Sequence, residues 1–238
     1  MKTFSFSIYG NNPIYTVGMV KNIILIKKLF PDWKVHIYMP FDQDEKYVNE
    51  INKYENVVIT LATNNEYFNS TWRFMSICED WVDIMVCRDA DSRISIRDKI
   101  AIDEWLSSDY NYHIIRDHPI GHHWPMNAGM WGAKKTNFIK HIDEMLEICE
   151  NKNPNMKKFS TFDQEFLKYE IYPIIVKESL IHDEYYKYEP HASPIKHDRK
   201  LNDFAFIGES LDENEIPRGD QRSPIRDIYS QLHPTLKT

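Results

Sequence analysis

The strongest constraint on this chain is an alternation of short apolar runs with helix-period segments through its first half. Residues 4–9 (FSFSIY), 34–39 (KVHIYM), 56–61 (NVVITL) and 82–87 (VDIMVC) have strand composition. Between them, 15–30 places Val17, Val20, Ile24 and Leu25 near helical spacing, with Pro31 as a stop. Segments 42–54 and 66–79 read as further helices. Strands separated by helices predict an α/β domain with a mostly parallel sheet covered on both faces. The pattern continues with a helix over 95–107, a strand over 111–116 and a small-residue segment over 127–133 (NAGMWGA). Helices over 136–150 and 161–170 follow, separated by a polar loop at 151–158. Beyond Ile171 the pattern breaks into short strands and loops, and from Gly208 onward it reads as an extended, partly mobile tail.

Composition narrows the class. A length of 238 residues suits one substantial domain, and no internal repeat divides it. The formal net charge of −7 disfavours nucleic acid as a partner, because such binding depends on basic patches that neutralise phosphates. No apolar run is long enough to span a membrane, and the MKTFSFSIYGNNP start lacks a secretory h-region. Cys78, Cys87 and Cys149 are odd in number and show no CxxC spacing. They read as buried thiols of a cytoplasmic protein.

The sharpest motif is Asp89-Ala90-Asp91, which directly follows the apolar run VDIMVC and Arg88. Two carboxylates two residues apart can converge on one point where the chain bends at a strand's carboxyl end, and that edge is where open α/β sheets bind ligands. Oxygen donors suit a hard divalent cation whose open positions a diphosphate can fill. Such a metal, Mn²⁺ or Mg²⁺, would take up charge on a departing nucleoside diphosphate. The alternative is a strand-end turn with a capping Asp and solvated Arg88, Arg93 and Arg97.

In this setting the chain resembles the GT-A glycosyltransferases, and most closely small members known from large DNA viruses and bacteria. The similarity rests on SIYGNNPIYTVGMVKNIILIKKLFPDWKVHIY, WRFMSICEDWVDIMVCRDADSR, IDEWLSSDYNYHIIRDHPIGHHWPMNAGMWGAKK and TFDQEFLKYEIYP, in that order. It implies a nucleotide-binding half (1–110), a donor-sugar and acceptor half (111–207) and the tail (208–238). If the source is viral, the implied location is the host cytoplasm.

Site residues follow partly from chemistry and partly from this resemblance. Tyr9 and Gly10, at the end of the first strand, could meet a base and ribose with a flat ring and a bare backbone; a core Tyr and a turn Gly are the plainer reading. Arg73 could reach the diphosphate or base, or serve as a surface ion pair. The resemblance places Arg93, Arg116, Asp117 and His118 by the donor sugar, over a strand containing Asn127, Gly129 and Trp131, whose ring would stack on a sugar face or fill the core. Four histidines in 113–123 match no zinc pattern. Asp163 and Gln164 are either helix capping after Thr161 or, by resemblance, the pair that contacts donor sugar and acceptor hydroxyl and points to retention. A third metal ligand, usually a late histidine, is assigned to His182 over His191 and His197.

Together these readings predict a metal-dependent transferase that moves a sugar from a UDP- or GDP-sugar to a glycan or protein-linked acceptor. The competing readings are a sugar-nucleotide nucleotidyltransferase, which the glycine-poor GNNPIYTVG disfavours, and a non-catalytic carbohydrate-binding protein.

Overall fold

A computed structural model describes residues 1–62, 69–152, 161–197 and 203–232. Its centre is a seven-stranded sheet in the order β3-β2-β1-β4-β6-β5-β7. The strands are β1 (Lys2–Ser7), β2 (Lys34–Pro40), β3 (Val57–Ala62), β4 (Ile84–Cys87), β5 (Tyr112–Arg116), β6 (Trp131–Lys134) and β7 (Ser179–Asp183). β6 runs antiparallel to β4 and β5, and the remaining pairings are parallel. Consequently the start of β6 lies at the same edge as the carboxyl ends of β1 and β4, with Trp131 in register with Cys87.

Helices start and stop where local chemistry directs. In α1 (Pro13–Leu29), the Asn12 side chain accepts from the Ile14 N–H and Pro13 supplies a preset first turn. α2 (Glu45–Ile51) is capped by Asp44. α3 (Ile96–Leu106) carries a reciprocal capping box between Ser95 and Asp98.

The two faces of the sheet are covered by two cores. Phe4, Phe6 and Ile8 of the β1 segment pack with α1, α3, Val86 and Trp105 on one side. Met85 and Cys87 of β4 point the other way, to Phe74, Trp131, Phe162 and Phe166. β1 alternates Phe with Ser and Thr, yet its hydroxyl face is not solvated. Ser5 Oγ donates to the Arg73 carbonyl at 2.6 Å, and Thr3 Oγ1 meets Ser76 Oγ at 3.2 Å. The Arg73 N–H in turn donates to Ser7 Oγ at 2.9 Å.

That exchange explains one departure from the sequence reading. The segment expected as an α-helix over 66–79 is a 3₁₀-helix over Asn69–Cys78, and the start of the expected helix lies outside the described residues. Main-chain groups that would close α-helical turns bond to the serines of β1 instead. The helix expected at 136–150 forms as a short 3₁₀ turn (Ile139–His141) leading into α4 (Ile142–Lys152). The one expected at 161–170 is α5 (Phe162–Phe166), a π-turn (Leu167–Ile171), then α6 (Tyr172–Ile175). Pro173, which has no N–H to give, sits in the first turn of α6 and accounts for the break. Most of the expected loop at 151–158 falls outside the described residues. The C-terminal stretch is not extended throughout: Leu211 bridges Pro217, and α7 (Ser223–Leu232) buries Ile225.

Below the strand edge, Arg88 turns inward and pairs with Asp98 at 3.0 Å, both essentially unexposed. Breaking one partner of a buried pair leaves an uncompensated charge. Asp98→Ala, which also removes the capping box, is expected to destabilise the fold by about 3–5 kcal/mol, read from urea unfolding.

Candidate functional site

The site forms where the carboxyl edge of the sheet meets the amino end of α5. At the end of β4, the alternation that turns Arg88 inward turns Asp89 outward, and its side chain keeps 46% of its surface exposed. Asp89 lies directly over the backbone of Gly129. A Cβ at Gly129 would stand 1.9 Å from Asp89 Oδ2, so any side chain there would displace the carboxylate. Arg73 Nη1 donates to Asp89 Oδ1. Arg73 Nη2 reaches Asp163 Oδ2 at 3.2 Å, so one buried guanidinium joins two carboxylates ninety and sixteen positions away. Asp163 Oδ1 accepts from the Gln164 N–H at 2.9 Å, and Gln164 Oε1 accepts from the Ala128 N–H at 3.0 Å. Gln164 thereby ties α5 to the loop entering β6.

Arg73, Asp89, Asp163 and Gln164 line a cleft of about 510 Å³, which also takes in Ser7, Tyr9, Tyr15, Asp91 and Trp124. That volume lies within the range of small-ligand sites. Tyr9, 43% exposed, follows the end of β1, its ring edge-on to Trp72. Gly10 holds a left-handed φ of +71°, and its carbonyl accepts from Gln43 Nε2 at 3.0 Å.

Three carboxylates, Asp89, Asp91 and Asp163, face this cleft together with the Arg73 guanidinium, and Arg218 stands near Asp91. Burial raises the pKa of Asp163, with Arg73 opposing. Burial also raises that of Asp91, and the neighbouring Asp89 adds to it. For Arg73, burial disfavours the charge, but Asp89 and Asp163 outweigh it and the net direction is up.

The C-terminal segment closes one wall. Ser210 Oγ donates to Asp91 Oδ2 at 2.7 Å, the Leu211 N–H donates to the Asp91 carbonyl at 2.8 Å, and Arg218 Nη1 stands 3.9 Å from Asp91 Oδ2. Glu215 is clasped by Arg93 at 2.9 Å and Lys21 at 2.8 Å. Arg93 Nη1 also donates to the carbonyls of Ala90 and Ser92, so it fastens this strap to the loop that carries both aspartates.

The structure brings together Tyr9, Gly10, Arg73, Asp89, Asp91, Gly129, Asp163 and Gln164 at or beside the cleft, but not the remaining predicted residues. Arg93 is committed to Glu215. Asp117 is buried in a two-point pair with Arg97 at 2.7 and 2.8 Å, and it also accepts from the Ile207 N–H. His118 organises its own turn, its Nδ1 accepting from Gly121 N–H and its Nε2 against the Gln221 carbonyl. Asn127 donates to the Trp124 carbonyl at 3.3 Å. Trp131 is fully buried, edge-on to Phe74, so its ring offers no face to a ligand. His182 is enclosed on β7 with Nδ1 at 2.8 Å from His113 Nε2 and Nε2 toward Glu104; it is not in the cleft. Tyr15, Trp124, Ser210 and Arg218 went unrecognised in the sequence. Only Tyr15, two residues beyond Pro13, and the exposed-type aromatic Trp124 in HHWP carried any signal.

The donor set fits a hard divalent cation in part. Asp89 and Asp91 supply carboxylate oxygens, and no group of three or more His, Cys, Asp or Glu side chains placed to hold a metal occurs among the described residues.

The sign of the Asp91 shift gives a stability test. With its folded pKa above the ordinary 3.8, ionising Asp91 penalises the folded state; the penalty sets in as pH rises past 3.8 and vanishes below it. In chelator at pH 7, Asp91→Asn, whose Oδ1 can still accept from Ser210, is expected to melt above wild type. The gain should disappear as the pH falls below about 4, as read from thermal unfolding.

No protein-family model and no curated protein matches this sequence. In fold, the chain is similar to the glycosyltransferase GlyE of Streptococcus pneumoniae TIGR4, with a TM-score of 0.51 and 11% identity over 75% of this chain and 44% of GlyE. It therefore spans less than half of that protein. It is similar also to the galactosyltransferase LgtC in complex with donor and acceptor sugar analogs, with a TM-score of 0.51 and 11% identity over 77% of this chain and 73% of LgtC. An active-site mutant of LgtC aligns over 100% of this chain and 97% of its own, with a TM-score of 0.52 and 10% identity. The architecture built above, a mostly parallel seven-stranded sheet with helices on both faces, is the GT-A fold of these glycosyltransferases.

Proposed function

We propose that this chain is a metal-dependent glycosyltransferase that moves a sugar from a UDP- or GDP-sugar to a glycan or protein-linked acceptor with retention of configuration. The observation that carries this reading is the Asp89–Arg73–Asp163 bridge, which joins the two acidic motifs of the sequence across one cleft at the carboxyl edge of the sheet. The fold shared with GlyE and LgtC supports it.

Charge argues for the metal. A nucleoside diphosphate is an anion, and a cleft whose three carboxylates face Arg73 and the nearby Arg218 keeps an excess of negative charge that disfavours it. Asp89 and Asp91 would hold Mn²⁺ or Mg²⁺, which when bound neutralises the diphosphate as it leaves. Tyr9 offers a ring to the nucleobase and Gly10 an unobstructed backbone to the ribose. Arg73 orients Asp89 and Asp163 and places positive charge beneath the cleft. Gln164, whose carbonyl oxygen is spent on Ala128, keeps its amide N–H groups for a sugar hydroxyl. The LgtC active-site mutant replaces a glutamine, and Gln164 is the glutamine lining this cleft. Retention is favoured because Asp163 is engaged by Arg73 and the Gln164 N–H, and so is poorly placed to act as a free base opposite the leaving group.

The test is a panel of UDP-, GDP- and dTDP-sugars with Mn²⁺, Mg²⁺ or chelator. A true donor is expected to raise the melting temperature only with metal, and donor turnover should follow the same dependence. Asp91→Ala is expected to lower turnover at least about a hundredfold, and product NMR should show the donor's anomeric configuration retained. Undiminished turnover in chelator would overturn the metal assignment.

A further inference from the structure

Trp124 stands apart from the rest of the cleft. Trp124 is half-buried and lines the cavity together with Thr161 and Gln164. The backbone beneath it is fixed at three successive carbonyls. Tyr188 Oη donates to His123 O at 2.9 Å, Asn127 Nδ2 to Trp124 O at 3.3 Å, and the buried Arg116 Nη1 to Pro125 O. A loop anchored this thoroughly presents a ring at low entropic cost. Its fixed indole suits stacking on the apolar face of a sugar.

The ring also carries a charge. Lys168 Nζ lies 5.4 Å from the Trp124 ring centroid and 4.8 Å from that of Tyr169. Lys168 is one turn beyond Gln164 on the same α5 and π-turn segment, and no carboxylate pairs with it among the described residues. In a chain of net charge −7, with three aspartates lining this cleft, an ammonium held on an aromatic ring without an acid partner among the described residues is an unspent recognition group.

We infer that Trp124 and Lys168 form the acceptor subsite and select a saccharide bearing an anionic group, a uronate or a sugar phosphate, which stacks on the indole and gives its charge to Lys168. This deepens the transferase reading above and rests on it. The inference separates the charges of the two substrates: the diphosphate goes to the aspartate side with its metal, and the acceptor's anion goes to the lysine side.

The experiment is calorimetry on the full chain with Mn²⁺ and UDP, titrating tetragalacturonate, glucose 6-phosphate and neutral maltotetraose. Wild type is expected to bind at least one anionic probe about tenfold more tightly than maltotetraose, and the anionic probe that binds identifies the substituent. Lys168→Met, which keeps the packing stem, is expected to bring that ratio near one, whereas Trp124→Ala should weaken all saccharides together. A wild-type ratio near one, or a ratio that survives Lys168→Met, would overturn the inference. UDP and GDP, each titrated with Mn²⁺ and no saccharide into wild type, test the donor reading separately: nucleotide binding with no preference among saccharides sinks only the anionic subsite. A preference for anionic saccharides with neither UDP nor GDP bound in Mn²⁺ leaves the saccharide site standing and sinks the transferase.

Discussion

Everything at this site depends on how one buried guanidinium is held. Arg73 is enclosed, and burying a charge costs several kcal/mol unless it is paired and hydrogen-bonded. The fold meets that cost from two directions. Ser5 and Ser7 of β1 fix its main chain, and Asp89 and Asp163 from opposite walls of the cleft pair with its side chain. The clamp spans the end of β4, the 3₁₀ segment and the start of α5. Moving any of these elements takes a partner from a guanidinium that lies away from water. This is why a stretch with helix-like composition, NSTWRFMSIC, gives up α-helical geometry: its main-chain groups contribute more by bonding to β1 than by closing turns.

The antiparallel β6 has a comparable role. Because it enters the sheet from the carboxyl edge, its leading residues pass under Asp89, and only a residue without Cβ fits there. Gln164 then pins the same loop from the other side through Ala128. Gly129, Asp89 and Gln164 are therefore parts of a single constraint, although thirty-five positions separate the glycine from the glutamine. A reversal of one strand converts a plain parallel sheet edge into a cleft with a floor.

Much of this could be read from the sequence, and what could not has a common cause. The strands follow from their apolar runs and the motif positions single out Asp89, Asp91, Asp163 and Gln164, whereas the first helix forms where expected but buries Met19, Ile23 and Ile26, leaving Val17 and Ile24 exposed. Arg93, Asp117 and His182 were assigned to ligands but are bound to the protein itself, by Glu215, Arg97 and His113. From sequence, an arginine that waits for a phosphate and one that grips a glutamate 122 residues later look the same. Trp131 shows the same ambiguity for packing, since a small-residue strand with one tryptophan suits a ligand floor or a core equally. The strap formed by Ser210, Glu215 and Arg218 was invisible for a simpler reason: it is polar, aperiodic and poor in apolar residues, the composition that usually signals a mobile tail. Its order comes from charges on the aspartate loop, not from a core of its own.

That origin has a consequence for how the cleft responds to charge. The strap bonds to Asp91 through Ser210, stands near it through Arg218, and is clasped to the adjoining loop by Arg93 and Lys21. Partly exposed ion pairs of this kind contribute only about 0–1 kcal/mol each, so the strap is the part of the wall that can yield at least cost, while the Arg73 clamp beneath it is the part that cannot. A divalent cation held by Asp91, as proposed above, would compete with Arg218 for the same oxygen, whereas the Glu215 clasp by Arg93 and Lys21 does not involve that oxygen. The cleft therefore combines a rigid floor, set by buried charge, with a wall whose position is set by exposed charge, and the two meet at the Asp89–Asp91 loop.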